Sequence, residues 1–202
     1  MWLAKTLWYP GQLIRPYWRL GLDGAVEEIP REGPLIIASN HSSFLDPFFI
    51  GIAFPRMIRY LITDDWYYRS KLWEGFFASL GTEPVVGGKP QETIKAICRI
   101  LDRGGVAGIF PEGGISYDGN LRRFKPGLSR IAALSGAPVL PIAVRGAFDA
   151  LPRTRLIPRP SRVRIQIASP VVFPGAPHAE LPSSSEREAF KEQIFTTIQA
   201  LL

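Results

Sequence analysis

Short apolar runs alternate with helical patterns along this chain, and this alternation limits the folds open to it. The runs at 35–38, 57–63, 106–110 and 139–144 are typical of buried strands. Residues 163–167 alternate apolar with polar side chains, which predicts a half-exposed strand. Strands separated by helices predict an α/β fold, a single domain with a mixed, mostly parallel sheet flanked by helices.

Three helices are predicted between and after these strands. Residues 91–103 follow Pro90 and place one apolar face inward, which puts Cys98 in the core and argues against a nucleophilic role for it. Residues 128–134 form the second helix. The last helix is predicted to begin with a capping box from Ser185 to Glu188. It should bury Phe190, Ile194, Ile198 and Leu201.

Composition narrows the class of protein further. The chain has 202 residues and 46% apolar residues, enough to bury a core, and its single cysteine excludes an internal disulfide. A net charge of +6 favours anionic partners, and residues 145–164 hold six arginines. No nucleic-acid reader motif accompanies these arginines, so we expect an anionic lipid surface and no nucleic acid.

The first 20 residues are rich in side chains that favour a membrane interface. They include three tryptophans, two tyrosines and three cations. We interpret residues 1–22 as a short interfacial helical segment and expect removal of residues 1–20 to weaken vesicle binding. An aromatic arm packed on the domain is the alternative. No run reaches the roughly 18 apolar residues of a membrane-spanning helix.

The sharpest motif, NHSSFLDP at residues 40–47, directly follows the 35–38 strand. The chain has two histidines, and His178 lies in a proline-rich loop, so His41 is the candidate base. Pro47 favours a helix start, which predicts that Asp46 caps the helix and that its carboxylate folds back onto the imidazole. A carboxylate there would orient the base. On spacing alone, an ordinary helix start beside a structural histidine stays open.

A second motif, FPEGGIS, follows the next buried strand at residues 110–116. Gly113 and Gly114 would expose backbone N–H donors, and Glu112 could accept hydrogen bonds. The basic turn RRFKPG at 122–127 precedes a helix, a setting that suits phosphate. Taken alone, the same residues are equally typical of a glycine-rich turn and a solvated helix start.

In this order and spacing, the motifs resemble those of the glycerolipid acyltransferase family, which is typified by 1-acylglycerol-3-phosphate acyltransferase. The family blocks Asn-His-x-x-x-x-Asp, Phe-Pro-Glu-Gly and Phe-Lys-x-Gly match residues 40–46, 110–113 and 124–127. A Val-Pro-Ile/Val-type strand matches 139–143. The resemblance therefore implies an acyltransferase domain over residues 23–202.

The resemblance also implies a reaction. His41, oriented by Asp46, would be the general base, and an acyl group would pass from acyl-CoA or acyl carrier protein to a lysophospholipid hydroxyl. It implies phospholipid synthesis or remodelling, no metal, no cofactor beyond the acyl donor, and a peripheral (monotopic) place on the cytoplasmic face of a membrane. The implied substrate-binding residues are Asn40, Ser43, Glu112, Gly113, Gly114, Arg122 and Lys125. An acyl-thioester hydrolase and a lipid-binding protein are the alternatives.

Two positions depart from the family pattern. Ile115 stands where the family has an arginine that contacts the acceptor phosphate, and Lys89 replaces a second arginine. Arg122, Arg123 and Lys125 could supply cations instead. We further expect an acyl groove between two apolar helices, lined by Phe48, Phe49, Ile50, Ile52, Phe54, Trp73, Phe76, Phe77 and Leu80.

Overall fold

A seven-stranded sheet forms the centre of the protein. The computed structural model describes residues 16–79, 81–155, 157–177 and 180–202, apart from the side chains of Trp73, Phe76 and Ser79. The strands are β1 (Gly21–Gly24), β2 (Leu35–Ser39), β3 (Ile58–Thr63), β4 (Glu83–Val85), β5 (Val106–Ile109), β6 (Val139–Arg145) and β7 (Arg164–Ile167).

Seven α-helices of the described residues connect and cover these strands. They are α1 (Asp46–Ala53), α2 (Asp64–Tyr67), α3 (Lys71–Ser79), α4 (Pro90–Asp102), α5 (Gly127–Ser135), α6 (Ala147–Ala150) and α7 (Ser184–Leu201). A 3₁₀ turn covers Val26–Glu28. The short elements β1, β4, α2 and α6 carry too little periodicity to be predicted from the sequence.

The strand order across the sheet is β1-β7-β6-β2-β5-β3-β4. Neighbouring strands run parallel, except that β6 and β7 are antiparallel. The predicted mixed, mostly parallel α/β sheet is therefore confirmed. Because β2 lies between β5 and β6, the carboxyl ends of these three strands meet at one edge.

Strand β2 is buried on both faces, which explains its unbroken apolar run. Leu35 and Ile37 pack on one side with α1, and Ile36 and Ala38 pack on the other side with α4, α5 and α7. Both faces of the central sheet are thus covered by helices, and the core is two apolar layers separated by the sheet.

Two predicted helix starts are shifted in the structure. The capping box of α7 runs from Ser183 to Glu186, two residues before the predicted one, because Ser183 Oγ accepts the Glu186 N–H. Helix α1 begins at Asp46 itself, and Leu45 is its N-cap residue. Of the four predicted core residues of α7, Leu201 is only half-buried.

The described part of the N-terminal segment packs on the domain. Trp18 is 8% exposed, packs edge-on against Phe49 and donates its indole N–H to the Arg159 carbonyl. Residues 21 and 22 belong to β1. Trp18 and β1 thus pack on the domain, while the interfacial role of residues 1–22 stays a prediction and residues 1–15 lie outside the described residues. No described helix has both the length and the apolar character needed to cross a membrane.

We expect Ile194→Ala in α7 to lower the free energy of unfolding by about 2–5 kcal/mol, because it leaves a cavity where a fully buried side chain stood. Urea unfolding followed by far-UV circular dichroism measures this change. Gln199→Ala, at an exposed position of the same helix, is the control and should change stability by less than about 0.5 kcal/mol. Equal effects of the two substitutions would contradict this core.

Candidate active site

The site lies at the carboxyl edge of the central strands. Asn40 and His41 directly follow β2, Glu112 follows β5, and Val144 lies near the end of β6. In parallel α/β sheets this edge is where ligands bind, because the connecting loops leave a crevice there. The two sequence motifs are therefore brought together by the pairing of β2 with β5.

His41 and Asp46 form the predicted pair. His41 Nδ1 lies 2.9 Å from Asp46 Oδ2, and the carboxylate is fully buried. The same oxygen accepts the backbone N–H groups of Ser42 at 2.7 Å and Ser43 at 2.8 Å. Asp46 thus closes the five-residue turn from the first position of α1, where a negative charge is also favoured by the helix dipole.

The imidazole is fixed by packing as well as by the carboxylate. Its ring stacks on Phe110, with centroids 3.9 Å apart and planes at 15°. The His41 side chain is 14% exposed. Because Nδ1 is held by Asp46, Nε2 is the ring nitrogen left to exchange a proton with a substrate.

Asn40 and Ser43, which the sequence predicted to bind substrate, have hydrogen-bond partners within the protein. The Asn40 amide donates to the Val144 carbonyl at 3.0 Å and accepts the Val144 N–H at 2.7 Å. Ser43 Oγ donates to the Leu151 carbonyl at 2.8 Å and accepts the Leu45 N–H. Both side chains are buried, so their polar groups anchor the turn of residues 41–46 to β6 and α6.

Glu112 also holds the turn, whereas the sequence predicted a contact with the acceptor. Its Oε1 accepts the His41 N–H at 2.7 Å, and its Oε2 accepts the Arg122 N–H at 3.1 Å. The Ser116 N–H donates in turn to the His41 carbonyl at 2.7 Å. The main chain of His41 is therefore tied on both sides to the loop after β5.

Two cations flank the glycines of this loop. Gly113 has φ +75°, a backbone conformation that favours glycine, and the Lys125 side chain lies close over it, where a Cβ would otherwise stand. The Arg122 guanidinium donates to the Gly114 carbonyl and lies 3.4 Å from Glu112 Oε2. The structure thus brings together Arg122, Lys125 and both glycines, as predicted, beside the His41 turn.

Other predicted contributors are placed elsewhere. The Gly113 N–H donates to the Phe110 carbonyl. The Gly114 N–H has no hydrogen-bond partner among the described residues. Ile115 is buried, and Lys89 pairs with Glu92 at the start of α4. Arg123 is exposed. The described residues contain no cluster of three or more His, Cys, Asp or Glu suited to a metal ion.

The predicted acyl groove is corrected in part. The apolar side chains around α1 pack into the core. Phe49, Ile50 and Phe54 are buried members of one core layer, and Phe48 is half-buried against it. Ile52 is also buried. Phe77 of α3 is half-buried. The side chains of Trp73 and Phe76, and the whole of Leu80, lie outside the description.

A surface depression of about 550 Å³ lies on the outer face of α4, away from the His41 turn. Its lining includes Cys98 and Asp102. Burial, and then the charge of Asp102, raises the pKa of the Cys98 thiol. Because a raised pKa disfavours the thiolate, this cysteine is a poor nucleophile, as the sequence predicted.

Burial governs the electrostatics of both site carboxylates. It raises the pKa of Asp46 above 3.8, although hydrogen bonds and charge from His41 and the N–H groups of Ser43 and Ser42 act in the opposite direction. It also raises the pKa of Glu112 above 4.5, against hydrogen bonds from His41 and Arg122. Two carboxylates with raised pKa values in one crevice are typical of functional sites.

A pH dependence of stability follows for Glu112. Its pKa is higher in the folded protein than in the unfolded chain, so its contribution favours folding below pH 4.5 and is lost as pH rises through the folded-state value. As pH rises from 4.5 through the folded-state pKa of Glu112, we expect the unfolding free energy of the wild type to fall relative to that of Glu112→Gln. The fall should be about 1.4 kcal/mol for each unit by which the folded-state pKa exceeds the unfolded-state pKa.

Urea unfolding at several pH values between 4 and 8 measures this difference. Glu27→Gln at an exposed position of the 3₁₀ turn is the surface control. A wild type that gained stability over Glu112→Gln as pH rose would contradict the raised pKa.

Known acyltransferases are similar to this chain in sequence. The chain is 27% identical over 163 residues to the chloroplast 1-acyl-sn-glycerol-3-phosphate acyltransferase LPAT1 of Arabidopsis thaliana, covering 78% of this chain and 45% of the relative. It is 27% identical over 178 residues to the 1-acyl-sn-glycerol-3-phosphate acyltransferase of Bacillus subtilis, covering 87% of this chain and 84% of the relative. The chain therefore spans less than half of the chloroplast relative.

A solved structure shares the fold. The 1-acyl-sn-glycerophosphate acyltransferase PlsC from Thermotoga maritima matches with a TM-score of 0.76 and 23% identity, over 98% of this chain and 79% of that one. The family model named Acyltransferase matches residues 24–145, which include the His41 turn, the Glu112 loop and the basic turn at 122–127. Since this match spans more than half of the chain, the protein belongs to the Acyltransferase family.

Proposed function

We propose that this protein transfers a fatty acyl group from a thioester to the hydroxyl of a lysophospholipid such as 1-acylglycerol-3-phosphate. The observation that carries the proposal is the His41–Asp46 pair, joined at 2.9 Å at the carboxyl edge of the sheet. A histidine held in this way can act as a general base on a hydroxyl. The printed names of the Arabidopsis and Bacillus relatives support this acceptor class.

The proposed reaction needs no acyl-enzyme. His41 Nε2 takes the proton of the acceptor hydroxyl while its oxygen attacks the thioester carbonyl carbon, and Asp46 stabilises the imidazolium that forms. The tetrahedral intermediate collapses with cleavage of the C–S bond. The leaving thiolate takes the proton from His41, so an ester and a free thiol are the products. The Gly114 N–H is the candidate donor to the developing oxyanion.

The acceptor phosphate is proposed to bind at Lys125 and Arg122. Both cations flank the glycine turn beside His41. Arg122 already donates to Gly114, yet its side chain is 40% exposed and can still present an N–H to an anion. These residues would replace the arginine that is lost at Ile115. A phosphate held there would place a neighbouring glycerol hydroxyl near the imidazole.

The mouth of the site is proposed to face a lipid surface. Phe44 in the catalytic turn is 47% exposed and contacts Trp66, over which Arg69 lies at 4.9 Å. Tyr117 follows the Glu112 loop, is 66% exposed, and has Arg153 at 4.4 Å over its ring. Exposed aromatic rings beside cations suit the headgroup region of an anionic membrane.

The acyl donor is proposed to be acyl-CoA or acyl carrier protein, with the protein acting peripherally on the cytoplasmic face of a membrane in phospholipid synthesis or remodelling. The reaction uses only the thioester group common to both donors. Transfer assays with each donor separate them.

The central test is His41→Ala. We expect it to lower acyl transfer by about 100-fold or more, because the general base is lost. Purified protein, labelled acyl-CoA or acyl carrier protein and a panel of lysolipids, with products identified by mass spectrometry, give the measurement. His178→Ala, at the second histidine of the chain, is the matched control and should keep wild-type turnover.

Three results would contradict the proposal. Near wild-type transfer by His41→Ala would remove His41 as the base. Thioester consumption that is independent of any lysolipid would identify a hydrolase. Lipid binding with no turnover by the wild type would identify a lipid-binding protein.

The membrane surface is tested with vesicles. We expect the double variant Trp66→Ser/Tyr117→Ser to lower cosedimentation with anionic vesicles at least about fivefold, because two interfacial rings are lost. Val172→Ser is the control, since Val172 is 54% exposed beside the amino end of β6, away from the site. The predicted N-terminal contribution is tested by deleting residues 2–15, which spares the buried Trp18. Unchanged binding in both tests would defeat the membrane proposal.

A further inference from the structure

Tyr60 is a buried polar residue that the proposed reaction does not use. It lies on β3, and its side chain is 8% exposed. Its hydroxyl is buried without a hydrogen-bond partner among the described residues. Because an unpaired buried hydroxyl is unfavourable, a tyrosine here calls for a partner that phenylalanine would not need.

Asp46 offers the complementary atom. Its Oδ2 accepts three hydrogen bonds, from His41 Nδ1 and from two backbone N–H groups. Its Oδ1 is buried and has no donor among the described residues. An ionised carboxylate normally uses both oxygens, and a bare one in the interior is costly. Within the described part of the chain, the Tyr60 hydroxyl is thus a buried donor without a partner, and Asp46 Oδ1 is a buried acceptor without one.

Packing directs the tyrosine toward the catalytic turn. The Tyr60 ring stacks on Phe110 at 5.6 Å with planes at 10°, and Phe110 stacks on His41. The ring lies flat over Gly108 of β5, where an added Cβ would be 2.2 Å from Tyr60 Cε1. Because β5 separates β3 from β2, the missing side chain at Gly108 lets the ring cross β5 toward the strand that carries His41.

The electrostatics agree with this placement. Burial raises the pKa of Tyr60, and the negative charge of Asp46 raises it further. The hydroxyl therefore stays protonated at neutral pH and is available as a donor. The titratable and charged groups linked to Asp46, directly or through the His41 main chain, are His41, Glu112 and Arg122.

We propose that Tyr60 is a positioning residue whose hydroxyl donates to Asp46 Oδ1 across one buried water. This hydrogen bond would stop the carboxylate from rotating, so that Oδ2 keeps facing His41 Nδ1. It would also disperse part of the negative charge of Asp46. The inference rests on the proposed function, because its effect is read through His41 as the base of acyl transfer.

The test is Tyr60→Phe, which keeps the ring against Phe110 and Gly108 and removes only the hydroxyl. We expect kcat to fall about tenfold with KM unchanged, the cost of one hydrogen bond to a charged group. The acid limb of the pH–rate profile should move to higher pH by about half a unit, because a less dispersed charge on Asp46 attracts protons more strongly. Tyr67→Phe is the matched control, a buried tyrosine of α2 that packs against Tyr68.

A double-mutant cycle with Asp46→Asn separates positioning from general packing. If Tyr60 acts through Asp46, adding Tyr60→Phe to Asp46→Asn changes kcat by less than about twofold. The positioning role is overturned if the two losses multiply, or if Tyr60→Phe keeps the wild-type kcat and acid limb. A wild type without acyl transfer overturns the proposed function itself, so the two failures are distinct.

Discussion

The hydrogen bonds to one carboxylate oxygen, Asp46 Oδ2, determine the shape of the site. It accepts the imidazole N–H of His41 and the backbone N–H groups of Ser42 and Ser43. Those two backbone donors are buried with the turn and would otherwise lack partners. The same atom therefore folds the turn and orients the His41 imidazole, the base of the proposed reaction.

Around that oxygen, a ring of buried polar groups fixes the main chain. Asn40 ties the turn to β6, Ser43 ties it to the end of α6, and Glu112 ties His41 to the loop after β5. None of these side chains needs to move for an imidazole to exchange a proton. Rigid support of this kind keeps a base within the narrow geometry that proton transfer requires.

The two buried carboxylates of the site, Asp46 and Glu112, lower the stability of the fold when they are ionised. Burial raises the pKa values of both Asp46 and Glu112, so each ionised carboxylate is less favourable in the fold than in water. Their hydrogen bonds offset part of that cost. The basic groups Lys125 and Arg122 remain at the more exposed rim, where an anionic substrate can reach them. Buried acids thus hold the His41 turn, and the accessible cations are the groups proposed to bind the acceptor phosphate.

The sequence by itself determined the α/β class, the main strands and helices, and the encounter of His41 with Asp46. These depend on local patterns, namely the hydrophobic period and a helix start at Asp46-Pro47, five residues after the histidine. Only the tertiary structure decided that Asn40 and Glu112 support the base, since their bonds join positions 104 and 71 residues apart. The same holds for Trp18, whose burial depends on a partner 141 residues away. Spacing along a chain reports which groups are neighbours in a turn, but strand pairing decides which distant groups satisfy one another's hydrogen bonds.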